Sequence, residues 1–439
     1  MLLEKIKSAI SKIDELSKSK PIKVISHYDT DGITSAAIFS RALQRWNKSF
    51  SLEIVKGIEQ SFIKQLPEDQ VLIFLDLASG SLNYLKDKKT EIFILDHHEI
   101  VQEIPSNVIM LNPLLEKEEP LSGAALCYLF AKSISSHNKD LASLAVIGMV
   151  GDLLEKNLSK TYDEILKDSE VVIKKGLLLY PSTRALDRAL EYSSSPYIPG
   201  VTGSYKGVME LLRDANIKKE NDGYPALYEL TDKQMSNLIT SIMLRSSDSS
   251  KVSNLLGNLY LIKFFNKLED ARELSALINA CSRMDYPSVC LGFCLGNRKC
   301  KMEAEKIYIE YKQHIISALR YISETEKIQG KKYTIINAKD NIKDTIIGTI
   351  ASIISRSPLY SEGTIIVALA YNQDKIKVSA RISGDHGRNV RDVLHKVVLQ
   401  SGGEVGGHPN AAGCLIPKAQ ESFFIQELQK LLEVEVVKV

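Results

Sequence analysis

No run of about 18 apolar residues interrupts this chain of 439 residues, so no segment reads as a membrane-spanning helix. The opening Met1-Leu-Leu-Glu-Lys-Ile-Lys7 is broken by charge and lacks the apolar core of a signal peptide, which makes a cytoplasmic location the expectation. Cysteine is scarce: six thiols in a chain of this length point to free side chains, not to a disulfide framework. Cys281, Cys290, Cys294 and Cys300 are separated by nine, four and six positions, unlike the paired spacing of a zinc site. They also fall in and around Val289-Cys-Leu-Gly-Phe-Cys-Leu295, which reads as core. Internal repeats and low-complexity tracts are absent. An excess of charge of one sign is missing too, since the net charge is +2. That balance neither demands nor excludes nucleic acid, because a single strand needs only a local basic groove. The lysines of 156–175 alternate with Asp163, Glu164 and Asp168, as on a solvated face.

What is present is ordinary globular composition, 44% hydrophobic and 25% charged, in a chain long enough for two or three domains. Residues 3–19 show an amphipathic helical pattern that Pro21 ends. Apolar strand runs at 22–26, 52–57, 71–76, 91–96 and 107–111 alternate with helical or loop stretches, including a helix at 33–46. Such alternation predicts a mostly parallel sheet flanked by helices. Helices are expected at 121–135 and 140–154, followed by a mixed, helical stretch over 163–190. Residues 205–325 read as mainly helical, with a long charged helix at 302–325. Gln329-Gly330 reads as a linker to a smaller α/β unit, with strands near 333–338, 364–371 and 375–382 and a helix at 389–400.

The chemistry-bearing residues gather at the ends of the apolar runs. Val24-Ile-Ser26 leads into His27-Tyr-Asp29-Thr-Asp31-Gly32, Val71-Leu-Ile-Phe-Leu75 into Asp76, and Glu91-Ile-Phe-Ile-Leu95 into Asp96-His97-His98. Asp152 follows Leu144-Ala-Val-Ile-Gly-Met-Val150. Open α/β sheets collect their ligands at such strand ends. A calcium loop built on Asp29-Thr-Asp31-Gly32 is excluded, because its twelfth position would be Ile38 where a bidentate Glu is needed. Turn formation alone explains an Asp-Gly pair, but not four apolar runs ending in acids or imidazoles. Oxygen and nitrogen ligands without thiolate suit hard divalent ions such as Mn²⁺ or Mg²⁺.

With its Asp96-His97-His98 triplet the chain resembles the DHH phosphoesterase superfamily. Ser401-Gly-Gly-Glu-Val-Gly406-Gly407-His408-Pro-Asn-Ala411-Ala412-Gly413 resembles the glycine-rich signature of the DHHA1 domain, and Val378-Ser379-Ala-Arg381-Ile-Ser383 its S-x-R-S strand. Pro196-Tyr-Ile-Pro-Gly-Val-Thr-Gly203 and Leu277-Ile-Asn-Ala-Cys281-Ser-Arg283-Met284 resemble segments of archaeal RecJ-like nucleases. The resemblance implies an α/β protein with a DHH catalytic domain at 1–195, a mainly helical insert at 196–328 and a DHHA1 substrate-binding domain at 329–439. It further implies two divalent ions, with Mn²⁺ preferred and Mg²⁺ an alternative. His27 and Asp29 would hold one ion and Asp31, His97 and Asp152 the other, with Asp76 bridging. His98 would contact the scissile phosphate or fix the ligand shell, and Asp96 would orient an imidazole, with a plain strand-end cap as its other reading.

Arg381, Ser383, Gly406, Gly407 and His408 are the expected contacts to the substrate backbone. For the glycines the alternative is an ordinary hairpin turn, and for Arg388 and Arg391 an exposed helix face. Arg283 is a candidate from the RecJ-like resemblance alone. The expected activity is a single-strand exonuclease on DNA or RNA that releases nucleoside monophosphates. A pyrophosphatase is disfavoured by the carboxy-terminal signature. A short-oligonucleotide phosphodiesterase is the alternative enzyme. A replisome scaffold associated with GINS, or with another replication or repair protein, is the alternative of a different class.

Overall fold

The computed structural model describes residues 2–433 apart from 101, 157, 194–197, 221–222, 246–255, 358, 385 and 402–403. Pro196 and Tyr197 of the RecJ-like segment and Gly402 and Gly403 of the glycine signature therefore lie outside the described residues. Two compact units divide the chain, at 1–307 and 308–439.

The first unit begins with α1 (Leu2–Leu16), β1 (Ile22–His27), α2 (Thr30–Arg45), β2 (Phe50–Val55), α3 (Gln60–Gln65) and β3 (Val71–Leu75). β4 (Ile92–Leu95), β5 (Val108–Leu111), α4 (Gly123–Ile134) and α5 (Ala142–Gly151) follow. The five strands form one parallel sheet in the order β2-β1-β3-β4-β5. β3 and β4 are buried along their whole length, which is why they read as unbroken apolar runs and not as alternation. Because β1 lies between β2 and β3, strand order reverses there, opening the crevice that such sheets use for ligands at their carboxyl ends. α2 starts on the side chain of Asp29, which accepts the Gly32 N–H at 3.0 Å. It is buried over most of its length against α4 and α5.

Downstream lie α6 (Lys160–Asp168), β6 (Val172–Leu177), α7 (Leu186–Glu191), α8 (Tyr205–Asp214), α9 (Asp232–Arg245), β7 (Leu256–Phe264) and β8 (Lys267–Asp270). Then come α10 (Ala271–Arg283), α11 (Pro287–Cys294) and α12 (Arg298–Glu324), the last straddling the 307/308 division. Helices dominate here as expected, but β6, β7 and β8 form an antiparallel sheet that the sequence pattern did not reveal. The β7–β8 turn is Phe265-Asn266, with φ of 48° and 62°, so the positive-φ turn carries none of the glycine that usually marks it. A core of Leu177, Leu186, Leu190, Leu211, Leu238 and Leu259 ties this sheet to α7–α9 and has members on both sides of residue 195.

The second unit contains β9 (Ile328–Gly330), β10 (Tyr333–Asn337), α13 (Asp344–Ser355), β11 (Ile365–Asn372), β12 (Lys375–Ile382), α14 (Val390–Ser401), β13 (Glu404–His408), β14 (Ala411–Pro417) and α15 (Glu421–Glu433). Its mixed sheet runs β13-β14-β12-β11-β10-β9. The expected linker at Gln329-Gly330 is thus a short edge strand. Gly330 is there because a Cβ would come within 2.2 Å of the Tyr333 ring. Ile376, Val378 and Ala380 of β12 join Leu394, Val397 and Phe424 in the core. By strand alternation Lys377, Ser379 and Arg381 point to the opposite face.

No helix among the described residues is long and apolar enough to cross a membrane. Phe74 is fully buried at the centre of the parallel sheet. Phe74→Ala is expected to cost the first unit about 3–5 kcal/mol in urea denaturation; a loss below about 1 kcal/mol would contradict that placement.

Candidate metal centre

Each ligand type is delivered by the end of a different element. His27 closes β1 and Asp29 caps α2, whose first turn carries Asp31. Asp76 follows β3 and Asp96-His97-His98 follow β4. Asp152 is the C-cap of α5. Asp76 adopts a left-handed φ of 59°, a conformation costly for a residue with a Cβ and concentrated at functional sites. Its N–H is held by Leu95 O at 2.8 Å.

Three overlapping groups result. His27, Asp29 and Asp76 form one, Asp31, Asp76, His97 and Asp152 a second, and Asp76, Asp96, His97 and His98 a third, with potential ligand atoms in each lying within 4.8 Å of one another. Asp76 is common to all three. Its Oδ2 lies 3.6 Å from His27 Nδ1 and its Oδ1 3.2 Å from His97 Nε2. His97 Nε2 is also 3.0 Å from Asp152 Oδ2 and 3.7 Å from Asp31 Oδ2, while His27 Nδ1 is 3.0 Å from Asp29 Oδ2. Among the described residues His27 Nδ1, His97 Nε2 and both Asp76 oxygens are buried without a hydrogen bond. Buried polar atoms that converge yet do not pair are what a divalent cation satisfies.

Electrostatics agree with that reading. Burial, reinforced by Asp76 and Asp152, holds the Asp31 carboxyl well above the ordinary carboxylate range. Burial likewise raises Asp152 against the pull of His97. Burial opposes charge on His97, but contact with Asp152 and Asp76 outweighs it and pushes the imidazole up to about 12. A carboxylate cluster that can only be relieved by protons or cations favours cations at neutral pH, and imidazole ligates in its neutral form.

Asp31 is fixed by a device that the sequence reading missed. Its Oδ2 accepts the Gly123 N–H at 2.5 Å and its Oδ1 the Ala124 N–H at 3.0 Å, so the amino terminus of α4 grips a buried carboxylate. Ser122 caps that helix and was the available signal. Gly148 of α5 leaves the carboxylate room, since a Cβ there would sit 2.4 Å from Asp31 Oδ1. Asp96 is buried and accepts the Ser79 N–H at 2.9 Å, the His97 N–H at 2.8 Å and His98 Nδ1 at 2.7 Å. That contact, stronger than the burial opposing it, raises His98, whose ring is half exposed beside the cluster.

Residues 21–149 match the DHH family N-terminal domain, 179–256 the DHH-CID domain and 330–434 the DHHA1 domain. The chain belongs to the DHH/DHHA1 superfamily. Asp152 lies just beyond the DHH match. An uncharacterized protein of Methanocaldococcus jannaschii is 28% identical over 455 aligned residues, covering 98% of this chain and 99% of that one. YorK of Bacillus subtilis, named as a prophage-derived single-strand DNA-specific exonuclease, is 28% identical over 172 residues, which is 36% of this chain and 30% of YorK. Among solved structures, RecJ of Thermus thermophilus in complex with Mn²⁺ aligns at TM-score 0.62 and 17% identity, over 98% of this chain and 55% of RecJ. CDC45 of Entamoeba histolytica aligns at 0.64 and 11% identity, over 98% and 99%. At these identities the two structures establish a shared fold. The chain spans about half the length of Thermus RecJ.

The DHHA1 residues occupy the second unit. Arg381 sits on β12 with Nε donating to Ser352 Oγ at 2.9 Å and a terminal nitrogen donating to Ala380 O at 2.8 Å. Ser383 is buried, and its hydroxyl donates to Tyr360 O at 3.2 Å. The serine bonded to Arg381 is Ser352, and a Cβ on Gly348 of α13 would meet Ser379 Oγ at 3.3 Å and the Arg381 guanidinium at 3.5 Å. Lys377 continues the same row, with Nζ 3.9 Å from where a Gly413 Cβ would be. Gly406, Gly407 and His408 are exposed on edge strand β13, immediately before the Pro409-Asn410 turn. Gly407 has φ 119°, and a Cβ there would lie 2.4 Å from Ala411 O, whereas Gly406 faces open space. Arg391 is exposed at the start of α14, where Arg388 donates to Leu432 O at 3.5 Å, and Arg283 ends α10.

Gly148→Ala is expected to drive the Asp31 carboxylate from its place and weaken Mn²⁺ binding at least about tenfold in calorimetric titration. Wild-type affinity in that variant would mean that Asp31 is not a ligand where it stands.

Proposed function

We propose that the protein is a divalent-metal-dependent exonuclease that shortens single-stranded DNA or RNA and releases nucleoside monophosphates. The observation that carries this reading is Asp76, whose two unpaired, buried oxygens face one ligand group each. His27, Asp29 and Asp76 would hold one ion and Asp31, Asp76, His97 and Asp152 the other. Two imidazoles among the ligands favour Mn²⁺ over Mg²⁺. When bound, the ions supply a nucleophile at neutral pH and offset charge on the phosphate.

The protein's own groups do the rest. His98, whose pKa is raised by the Asp96 carboxylate that engages its Nδ1, can as the imidazolium donate its Nε2 proton to a phosphate oxygen. Asp96 holds that ring in place through contacts to three donors besides. In the DHHA1 unit the Lys377-Ser379-Arg381 row and the exposed Gly406-Gly407-His408 edge strand would offer cationic and polar contacts to a nucleic-acid backbone. The name of YorK supports a single-strand substrate. The fold likeness to CDC45 is the reason to keep a second reading, a scaffold that binds GINS or another replication protein.

Digestion of single strands labelled separately at the 5′ and 3′ ends, with Mn²⁺, tests the proposal. A ladder of single-nucleotide losses is expected, abolished by Asp76→Ala. Inert long strands with rapid cleavage of dimers to pentamers would favour a short-oligonucleotide phosphodiesterase, and inertness toward both would favour the scaffold. Asp96→Asn is expected to lower turnover by about 10²-fold or more while leaving Mn²⁺ affinity within about threefold, because it frees His98 and no ligand. Equal losses in both would place Asp96 among the metal ligands.

A further inference from the structure

α10 lies outside the three matched spans, and none of the family domains assigns it a role. We propose that one face of α10 is a brace that holds in register the two chain segments carrying Asp29–Asp31 and Asp152, with Asn279 as its principal positioning residue. Arg272, Ser275 and Asn279 are spaced i, i+3, i+7 and share a helix face. Asn279 Oδ1 accepts the Thr30 N–H at 3.1 Å. The Thr30 hydroxyl donates to Ser275 O at 2.9 Å and accepts from Ser275 Oγ at 3.2 Å. Thr30 is the residue between Asp29 and Asp31, so it joins the two ligand groups through the backbone.

The other end of the face reaches the Asp152 segment. Arg272 pairs with Glu155, three positions beyond Asp152, and stacks over the Tyr180 ring at 4.5 Å. The Glu155 side chain is only 7% exposed, and a buried pair of this kind is costly to break. Gly151, immediately before Asp152, closes the contact: a Cβ there would lie 2.9 Å from Thr30 Cβ and 3.4 Å from Ser275 Oγ. Thr30 is therefore wedged between the end of α5 and the brace. Its N–H belongs to the first turn of α2, where no intrahelical acceptor exists, so Asn279 supplies the partner. Groups that hold ligands without touching the metal set affinity by geometry, typically by about 10–100-fold.

This inference rests on the metal-centre reading above, and the experiment separates the two. Mn²⁺ binding to the full chain is titrated calorimetrically for wild type, Asn279→Ala, Asn279→Asp, Gly151→Ala and Asp31→Ala, with melting of each recorded in EDTA. Asn279→Ala is expected to weaken Mn²⁺ binding by about 10–100-fold. Asn279→Asp, which keeps the acceptor for Thr30, is expected to recover most of that loss. Gly151→Ala perturbs Thr30 from the opposite side by one methyl group and is expected to weaken binding also, which keeps the test open if Asn279→Ala does not fold. Wild-type Mn²⁺ affinity in Asn279→Ala, or equal weakness of the Ala and Asp variants at similar melting temperatures, would overturn the brace. Undiminished binding by Asp31→Ala would instead overturn the metal centre.

Discussion

Asp29, Asp31, Asp76 and Asp152 bring four carboxylates to the carboxyl ends of one parallel sheet, with two imidazoles, His27 and His97, among them. Left to themselves these charges repel, and burial makes the repulsion worse by removing water. The first unit is arranged to tolerate it. The amino terminus of α4 donates two N–H groups to Asp31, the amino terminus of α2 donates one to Asp29, and Asp76 is turned inward by a left-handed backbone. Glycines at 123 and 148 stand where any side chain would collide with Asp31 or Asp76. Stability is thereby spent on a charge cluster whose natural relief is a cation.

Division of labour between the units follows from what each presents. The first carries the acids and imidazoles of the cluster. The second carries Lys377, Ser379 and Arg381 on one sheet face, with Gly406 exposed on an edge strand.

Much of this was legible in the sequence because most of the candidate ligands end apolar strand runs, and strand ends in a parallel sheet converge by topology. His27, Asp76 and Asp96-His97-His98 needed only that rule, and the elements carrying them fall within a few residues of expectation. Asp31 was legible as a residue but not as an anchored one, since its partners are backbone N–H groups some ninety residues away. β6, β7 and β8 were missed because Val172–Leu177 is short and its outer face exposed, and because Phe265-Asn266 turns without glycine. Gly330 read as a linker when it makes room for Tyr333. Ser383 read as a substrate contact from its place in a motif, while the structure gives its hydroxyl to Tyr360 O and bonds Arg381 to Ser352. The Arg272, Ser275 and Asn279 face looks from the sequence like any polar stripe, because its partners at Thr30 and Glu155 are more than one hundred residues distant.

The central claim is that one carboxylate, Asp76, serves two ions at once. Manganese titration followed by electron paramagnetic resonance tests it most directly. The account predicts two Mn²⁺ per chain with a spin-coupled signal, replaced in Asp76→Ala by an uncoupled signal of weakly bound ions. A single uncoupled Mn²⁺ per wild-type chain, unaffected by that substitution, would contradict it.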